Sequence, residues 1–244
     1  MNDVSCWQCA AHGRRTFLRL TGAALTALGS GGFVATAQAA ALSKAQRDAM
    51  TPDQILELMK KGNLRFRKGR RENRNFLAQQ RITAKGQYPA AVLLTCIDSR
   101  APAETIMDLG IGDIFNARIA GNIANDDILG SMEFACKLAG AKVVLVMGHT
   151  ACGAIKGAID NAELGNLTGL LAKIKPAIKA TDYSGARTAG NYEFVDSVAR
   201  TNVALTMAEV RGRSSVLREL ESEGALKIAG AMYDLQTGAV DFFP

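Results

Sequence analysis

Residues 143–157 read VVLVMGHTACGAIKG, an apolar run that stops at a histidine and continues into a glycine-containing turn. The first five residues are all apolar and do not alternate with polar ones, which is typical of a strand covered on both faces in a parallel sheet. His149 and Cys152 follow at the carboxyl end of this run. The segment therefore predicts a buried strand that presents an imidazole and a thiol at one edge of a sheet.

Two other apolar runs resemble the first, at residues 90–96 (AAVLLTC) and 113–120 (DIFNARIA). Residues 126–140 lie between the second run and the opening segment, and their apolar positions recur at helical spacing before a stop at Gly140. One face of this predicted helix carries Ile128, Met132, Ala135, Cys136 and Ala139. Alternating strands and helices predict an α/β fold with a central, mostly parallel sheet flanked by helices.

The flanking segments extend this pattern. Thr51 begins a helix, since Pro52 suits its first turn and Gln54 completes a capping box. Further helices are predicted at about 153–162, 192–210 and 214–224, and the tail reads as two strands joined by a turn at Thr237-Gly238. Residues 40–244 are expected to form one domain with an N-terminal helical arm.

The first 39 residues differ from the rest of the chain. Paired arginines, Arg14 and Arg15, precede a moderately apolar stretch and the triplet Ala37-Gln38-Ala39, which has the A-x-A form of a cleavage site. This segment resembles a twin-arginine export signal, so the mature protein is expected in the periplasm or otherwise outside the cytoplasm. A membrane anchor is the alternative, but the apolar stretch is interrupted by glycine and shorter than the ~20 residues that a span needs. No stable membrane span is expected once the signal is removed.

The ends of two predicted strands carry the residues with metal-binding chemistry. Cys96 ends the first strand within Cys96-Ile97-Asp98-Ser99-Arg100, and His149 and Cys152 follow the other. Because the carboxyl ends of parallel strands lie at one edge of the sheet, these three side chains should converge. Two cysteines and one histidine with an open fourth position are typical of a catalytic zinc site, and thiolates disfavour magnesium or calcium.

Three other kinds of site use some of the same sequence features. A Cys–His nucleophile pair would leave the second cysteine and the Asp98–Arg100 pair without roles. A phosphate-binding loop is excluded because Ala154 follows Gly153 where the loop needs lysine. The net charge of +6 and the basic run at residues 60–74 allow a nucleic-acid site. That run lacks aromatic residues beyond Phe66, so a solvated face or subunit contact is the preferred interpretation, and no nucleic-acid partner is expected.

The motif C-x-D-S-R at 96–100, followed by H-x-x-C-G at 149–153, resembles the signature of the β-class carbonic anhydrases. The resemblance extends over roughly residues 50–240 and includes RIAGN at 118–122. It implies a β-carbonic anhydrase-like fold and the zinc-dependent reversible hydration of CO2 to bicarbonate and a proton by zinc-bound hydroxide. It also implies one zinc ion per subunit and assembly as a homodimer or homotetramer.

The same resemblance assigns roles at the metal. Cys96, His149 and Cys152 match the zinc ligands of the family, and Asp98 and Arg100 match its catalytic dyad. In the closed state known in the family, Asp98 becomes the fourth zinc ligand.

The resemblance also assigns residues that bind substrate. Gln87 matches a glutamine that reaches the site from the neighbouring subunit, and Gly153 matches a glycine whose backbone N–H faces the substrate. Phe115 and Phe134 lie where the family has apolar pocket walls. Phe134 replaces a frequent tyrosine and Ala120 a frequent valine, so the size and polarity of the pocket are open.

Two other functions remain open at the sequence level. A carbonyl sulfide or carbon disulfide hydrolase would use the same ligands on the same fold. A non-catalytic zinc- or bicarbonate-binding protein is the other alternative, and the presence of both Asp98 and Arg100 argues against it. After signal removal His149 is the sole histidine, so we expect the released proton to pass through water to external buffer.

Overall fold

A five-stranded sheet forms the centre of the fold in the computed structural model, which describes residues 41–243. Its strands are β1 (Ala91–Thr95), β2 (Ile114–Arg118), β3 (Val143–His149), β4 (Lys227–Tyr233) and β5 (Val240–Phe243). They lie in the order β2-β1-β3-β4-β5, and all neighbours are parallel except β4 and β5. The predicted α/β class and the mostly parallel sheet are confirmed.

Helices surround this sheet in the described part of the chain. They are α1 (Lys44–Ala49), α2 (Pro52–Arg67), α3 (Phe76–Thr83), α4 (Ala103–Ile106), α5 (Asp126–Glu133), α6 (Gly153–Ile159), α7 (Gly165–Ala172), α8 (Lys175–Ala180), α9 (Tyr192–Arg213) and α10 (Ser215–Ser222). A 3₁₀ turn covers Ala120–Asn122, and a π-helical segment, Phe134–Leu138, continues α5. Within residues 41–243, none of these helices has the length and apolar character to cross a bilayer. The predicted export signal at residues 1–39 lies outside the described residues.

Both faces of the central strands are buried, as their continuous apolar sequence predicts. Leu94 and Val146 belong to one apolar cluster, which includes inner residues of α9 and α10. Leu93 and Leu145 belong to the cluster on the opposite face, which includes residues of α2 and α4. The sheet therefore lies between two helical layers, and its strand ends are the places where polar side chains can gather.

Strand register places the predicted ligands at the same edge. Thr95 at the end of β1 pairs with Met147 of β3, so Cys96 leaves the sheet close to the point where β3 ends at His149. Gly148 lets neighbouring groups approach this end closely, since a Cβ there would lie 2.8 Å from both Met232 Sδ and Val203 Cγ2. The convergence expected from parallel pairing is thus present.

Local boundary predictions are mostly confirmed. Thr51 caps α2 with Gln54 completing the capping box, and α9 begins at residue 192 as predicted. The turn between β4 and β5 contains Gly238, whose φ of 70° suits glycine. The helix predicted over 126–140 is α-helical only to Glu133 and then π-helical to Leu138.

Two short helices, α7 and α8, were not predicted. Neither has a side-chain hydrogen bond at its N-cap, and the one start signal in the sequence is Pro176 in the first turn of α8. Leu171, Ile174 and Ala177 from this region are buried in the core. Tertiary packing therefore stabilises these helices more than local sequence does.

Part of the basic run forms ion pairs with a buried carboxylate. Asp108 is fully buried, and Arg65, Arg71 and Arg74 surround its carboxylate. Arg74 also donates to the backbone carbonyl of Asp108 at 2.6 Å. A buried carboxylate needs compensating charge, so these three arginines have a structural role. The expected solvated face therefore does not describe Arg74, which is 6% exposed, whereas Arg71 is 39% exposed and a subunit contact stays a prediction.

Candidate metal centre

Three side chains gather at the edge where β1 and β3 end. Cys96, His149 and Cys152 are all buried, and their potential ligand atoms lie within 4.8 Å of one another. The two Sγ atoms are 4.0 Å apart. Thiolates bound to one tetrahedral zinc at about 2.3 Å each would be separated by roughly 3.8 Å, so the observed spacing fits a shared metal.

The imidazole of His149 has the orientation of a metal ligand. Its Nδ1 donates to the carbonyl oxygen of Thr150 at 2.9 Å, which leaves Nε2 with a free lone pair. Nε2 is buried and has no hydrogen-bond partner among the described residues. A buried polar atom without a partner is costly, and a metal ion would satisfy it.

The two sulfur atoms are within hydrogen-bond distance of each other, and either can carry the proton between them. The hydrogen bond from Cys152 lowers the pKa of Cys96 to about 4, and the same contact raises the pKa of Cys152. Backbone N–H groups stabilise both sulfurs: Gly121 donates to Cys96 Sγ at 3.4 Å, and Ala154 and Ile155 donate to Cys152. A divalent cation in place of the proton would allow both thiolates to form.

Negatively charged and acceptor groups surround the imidazole of His149. Burial by itself lowers the pKa of His149, but Cys96, the carbonyl of Thr150 and the charge of Asp98 together outweigh it, so the net pKa is raised. Two sulfur donors and one imidazole nitrogen without a hydrogen-bond partner favour zinc over hard cations such as magnesium and calcium. The residues present therefore fit a zinc ion with one open coordination position.

Asp98 lies beside the three donors without belonging to the group. Its Oδ2 is 3.9 Å from His149 Nε2. Arg100 holds the carboxylate with Nε at 3.0 Å from Oδ1 and Nη2 at 2.8 Å from Oδ2. These hydrogen bonds lower the pKa of Asp98 to about 2, so the carboxylate is ionised at neutral pH. Asp98 in this structure is thus a partner of Arg100, and its role as a fourth ligand stays a prediction.

Two residues without an assigned role in the sequence also support the centre. Arg118 donates from Nε to the carbonyl of Cys96 at 2.9 Å and from Nη2 to the carbonyl of Asp98 at 2.6 Å. Asp196 of α9 accepts from the backbone N–H of Ala151 at 2.7 Å. Arg118 stands in the RIAGN motif, which is the signal that could have marked it, whereas no local pattern marks Asp196.

The predicted substrate residues are distributed differently. Gly153 begins α6 next to Cys152, is exposed, and has open space where a Cβ would lie. Gln87 is exposed and precedes β1 at its amino end, whereas the metal centre lies at its carboxyl end. With ~3.3 Å per strand residue, β1 alone puts about 13 Å between these ends. Gln87 therefore cannot reach the metal centre of its own chain.

The two aromatic residues form a pair of their own. Phe115 of β2 and Phe134 make an edge-to-face contact with ring centroids 6.2 Å apart. Phe134 is 53% exposed, and the cavity that the two rings line includes none of the three metal-binding residues. Their predicted role in the substrate pocket, like that of Gln87, stays a prediction.

Comparisons with known proteins agree on one family. The family model for carbonic anhydrase matches residues 91–240. Carbonic anhydrase 2 of Mycobacterium tuberculosis is 33% identical over 186 residues, which cover 74% of this chain and 87% of the relative. The β-carbonic anhydrase CafA of Aspergillus fumigatus has a similar structure, with a TM-score of 0.60 and 29% identity over 67% of this chain and 79% of that one.

A further structural neighbour is informative about assembly. It is a tetrameric β-carbonic anhydrase of Sordaria macrospora, whose structure matches this chain with a TM-score of 0.58 and 27% identity. The match covers 66% of this chain and 83% of that chain.

Proposed function

The chain belongs to the β-class carbonic anhydrases, and from this premise we propose that it catalyses the zinc-dependent reversible hydration of CO2 to bicarbonate and a proton. One observation carries the zinc assignment: the donor atoms of Cys96, His149 and Cys152 converge within 4.8 Å at the carboxyl ends of the strands. The ionised Asp98 beside them supplies a hydrogen-bond acceptor that can orient the attacking water.

In this proposal Cys96, His149 and Cys152 hold the zinc ion. When bound, zinc supplies a Lewis acid that lowers the pKa of water towards ~7 and so makes a nucleophile available near neutral pH. Asp98 accepts a hydrogen bond from the attacking water and directs its lone pair at the carbon of CO2. Arg100 keeps the Asp98 carboxylate ionised and fixed in orientation through its two hydrogen bonds.

The substrate pocket requires contributions from two subunits. Gly153 is next to Cys152, and its backbone N–H at the start of α6 can donate to an oxygen of bicarbonate. We assign Gln87 of a neighbouring subunit to the other oxygen, because Gln87 of the same chain lies at the opposite edge of the sheet. Phe115 and Phe134 supply apolar walls that suit CO2. A homodimer or homotetramer meets this requirement, and the Sordaria relatives are tetrameric.

Stopped-flow CO2 hydration on protein of known zinc content tests the proposal. Cys96→Ser should lose both zinc and activity, whereas Asp98→Asn should keep zinc and lose rate. Cys136→Ala is the control, since Cys136 is a buried cysteine that does not belong to the three converging donors. Burial raises the pKa of the Cys136 thiol to about 12. Wild-type protein that binds no zinc under reducing conditions would overturn the proposal.

The same assay separates the alternative functions. Hydrolysis of carbonyl sulfide or carbon disulfide by a protein that leaves CO2 unhydrated would identify the sulfur-analogue enzyme. Stoichiometric zinc together with no turnover of any of these substrates would identify a non-catalytic binding protein.

We also propose that the protein is exported through the twin-arginine pathway. The support is the paired arginines, the apolar stretch and the A-x-A triplet within residues 1–39. Replacement of both Arg14 and Arg15 by lysine should retain the protein in the cytoplasm, as measured by cell fractionation and by the mass of the mature chain. Equal export of both forms would contradict the proposal.

A further inference from the structure

The turn between two of the metal-binding residues has an unfavourable backbone conformation. His149 ends β3 and Cys152 caps α6, so Thr150 and Ala151 alone connect them. Ala151 has a φ of 54°, in the left-handed region where the Cβ of an L residue crowds the following carbonyl. Such a conformation persists only when neighbouring groups hold it. The relative position of the His149 and Cys152 donor atoms therefore depends on what holds Ala151.

The carboxylate of Asp196 holds it. The N–H of Ala151 donates to Asp196 Oδ1 at 2.7 Å, and this hydrogen bond favours the ionised carboxylate, whereas burial raises the pKa of Asp196. Asp196 lies in the second turn of α9, where its neighbours Phe194, Val195 and Val198 are fully buried. The acceptor is thus mounted on a helix whose own position the core fixes.

The end of β3 is packed so that α9 can reach the turn. Gly148, next to His149, approaches Val203 of α9 so closely that a Cβ would come within 2.8 Å of it. The other side of the turn is held by β4 and the residues after it. Tyr233 accepts from the N–H of Thr150 at 3.0 Å, and Thr150 Oγ1 accepts from the N–H of Leu235 at 3.0 Å. Thr150 is therefore fixed from the sheet, and Ala151 is fixed from α9.

We propose that Asp196 is a positioning residue for the metal centre, which acts through the Ala151 amide to fix Cys152 relative to His149 and so slows release of the metal. The inference rests on the proposed zinc site and deepens it. Asp196 donates nothing to the metal itself, since the group of converging donors contains only Cys96, His149 and Cys152 among the described residues.

Zinc release to a colorimetric chelator, measured on zinc-loaded full-length protein, tests the proposal. Asp196→Ala should release zinc about 10–100-fold faster, the range expected when an outer contact of a metal site is lost. Asp196→Asn keeps the size and a neutral acceptor and should release it about fivefold faster, because charge-assisted bonds are roughly twice as strong. Glu209→Ala removes an exposed carboxylate from the same helix and should release zinc at the wild-type rate.

A second variant separates positioning from a general effect on folding. Ala151→Gly lets the turn adopt the left-handed conformation without a Cβ, so in the Asp196→Ala background it should recover part of the lost retention. The ligand-field spectra of the Co²⁺-substituted proteins report the geometry of the donors. The variants should depart from the wild-type spectrum in the same order as their zinc release rates.

Two results would overturn the inference. One is wild-type zinc release in both Asp196 variants, and the other is a double variant that recovers nothing over Asp196→Ala. If Asp196→Ala does not fold, the comparison of Asp196→Asn with Asp196→Asn/Ala151→Gly decides in the same way. A wild-type protein that binds no zinc at all would instead count against the proposed function, so the two failures are distinguishable.

Discussion

Asp98 and Arg100 face each other in a two-point contact, with Nε and Nη2 of the guanidinium donating to separate carboxylate oxygens at 3.0 and 2.8 Å. The backbone N–H of Arg100 adds a third hydrogen bond to Oδ1 at 2.9 Å. Two residues apart in the chain, they form a rigid unit beside the metal-binding side chains. The carboxylate is therefore fixed in orientation as well as in charge.

Loss of this contact should reduce the rate without removal of the metal. Arg100→Gln is expected to retain zinc and to lose CO2 hydration by on the order of 10–100-fold, because Asp98 would rotate freely. Arg100→Lys keeps the charge but lacks the planar pair of donors, so its activity should lie between that of the wild type and that of Arg100→Gln. Stopped-flow rates normalised to zinc content provide the measurement. Full activity in Arg100→Gln would show that orientation of Asp98 does not matter.

Arg118 should support both metal binding and catalysis. It donates to the carbonyls of Cys96 and Asp98, so it holds the loop that carries one proposed ligand and the carboxylate. Arg118→Gln is expected to weaken zinc binding by roughly tenfold or more, as measured by competition with a chelator. Arg70→Gln, an exposed arginine in the basic run, is the control and should bind zinc normally. Equal affinity in the two variants would exclude this role for Arg118.

Turnover should depend on the buffer. The full chain has two histidines, His12 and His149, of which His12 lies in the predicted signal and His149 in the metal centre. No imidazole is then free to relay protons near neutral pH, so kcat should rise as imidazole buffer increases from about 1 to about 50 mM. A flat response over this range would point to an internal proton relay that lacks histidine.

Mixed oligomers should recover activity if Gln87 acts across the subunit interface. Cys96→Ser subunits are expected to lack zinc, and Gln87→Ala subunits should bind zinc but turn over slowly. In a hybrid, the zinc-containing site of the Gln87→Ala subunit receives an intact Gln87 from its partner. Activity after subunit exchange should therefore exceed the sum of the two separate variants. Strict additivity would mean that Gln87 does not reach the neighbouring site.

The ion pair between Glu221 and Arg211 should give a pH-dependent contribution to stability. Burial raises the pKa of Glu221, but the two 2.8 Å hydrogen bonds from Arg211, the charge of Arg211 and the N–H of Ile228 together lower it more, so the net pKa lies below its ordinary 4.5. A lowered carboxyl pKa adds stability above the unfolded-state pKa, and this stability is lost as the pH falls through the folded-state pKa.

Urea unfolding of Glu221→Gln measures this contribution. Since Arg211 is 38% exposed, solvent screens the pair, and we expect a loss of about 1 kcal/mol at pH 7. The loss should shrink at acid pH, as the pH falls through the lowered folded-state pKa of Glu221 and the wild-type carboxyl takes up its proton. Glu219→Gln on the same helix is exposed and should change stability little at either pH. A loss independent of pH would assign the effect to packing.

The sequence by itself determined the sheet and the three converging metal-binding residues. Unbroken apolar runs specify strands buried on both faces, and parallel pairing brings strand ends together, so the convergence of Cys96 with His149 follows from local pattern and sheet geometry. Cap residues such as Thr51 likewise mark helix ends within a few positions. These features depend on neighbours close in the chain, which is why a single sequence contains them.

Only the tertiary structure decided what supports the metal centre. The contact of Asp196 with Ala151 spans 45 residues, and Arg118 reaches back 22 residues to Cys96. The burial of Asp108 among arginines of the basic run has no sequence pattern either. Such contacts are set by how helices and strands pack against one another, because a hydrogen bond between distant residues leaves no periodicity in the chain.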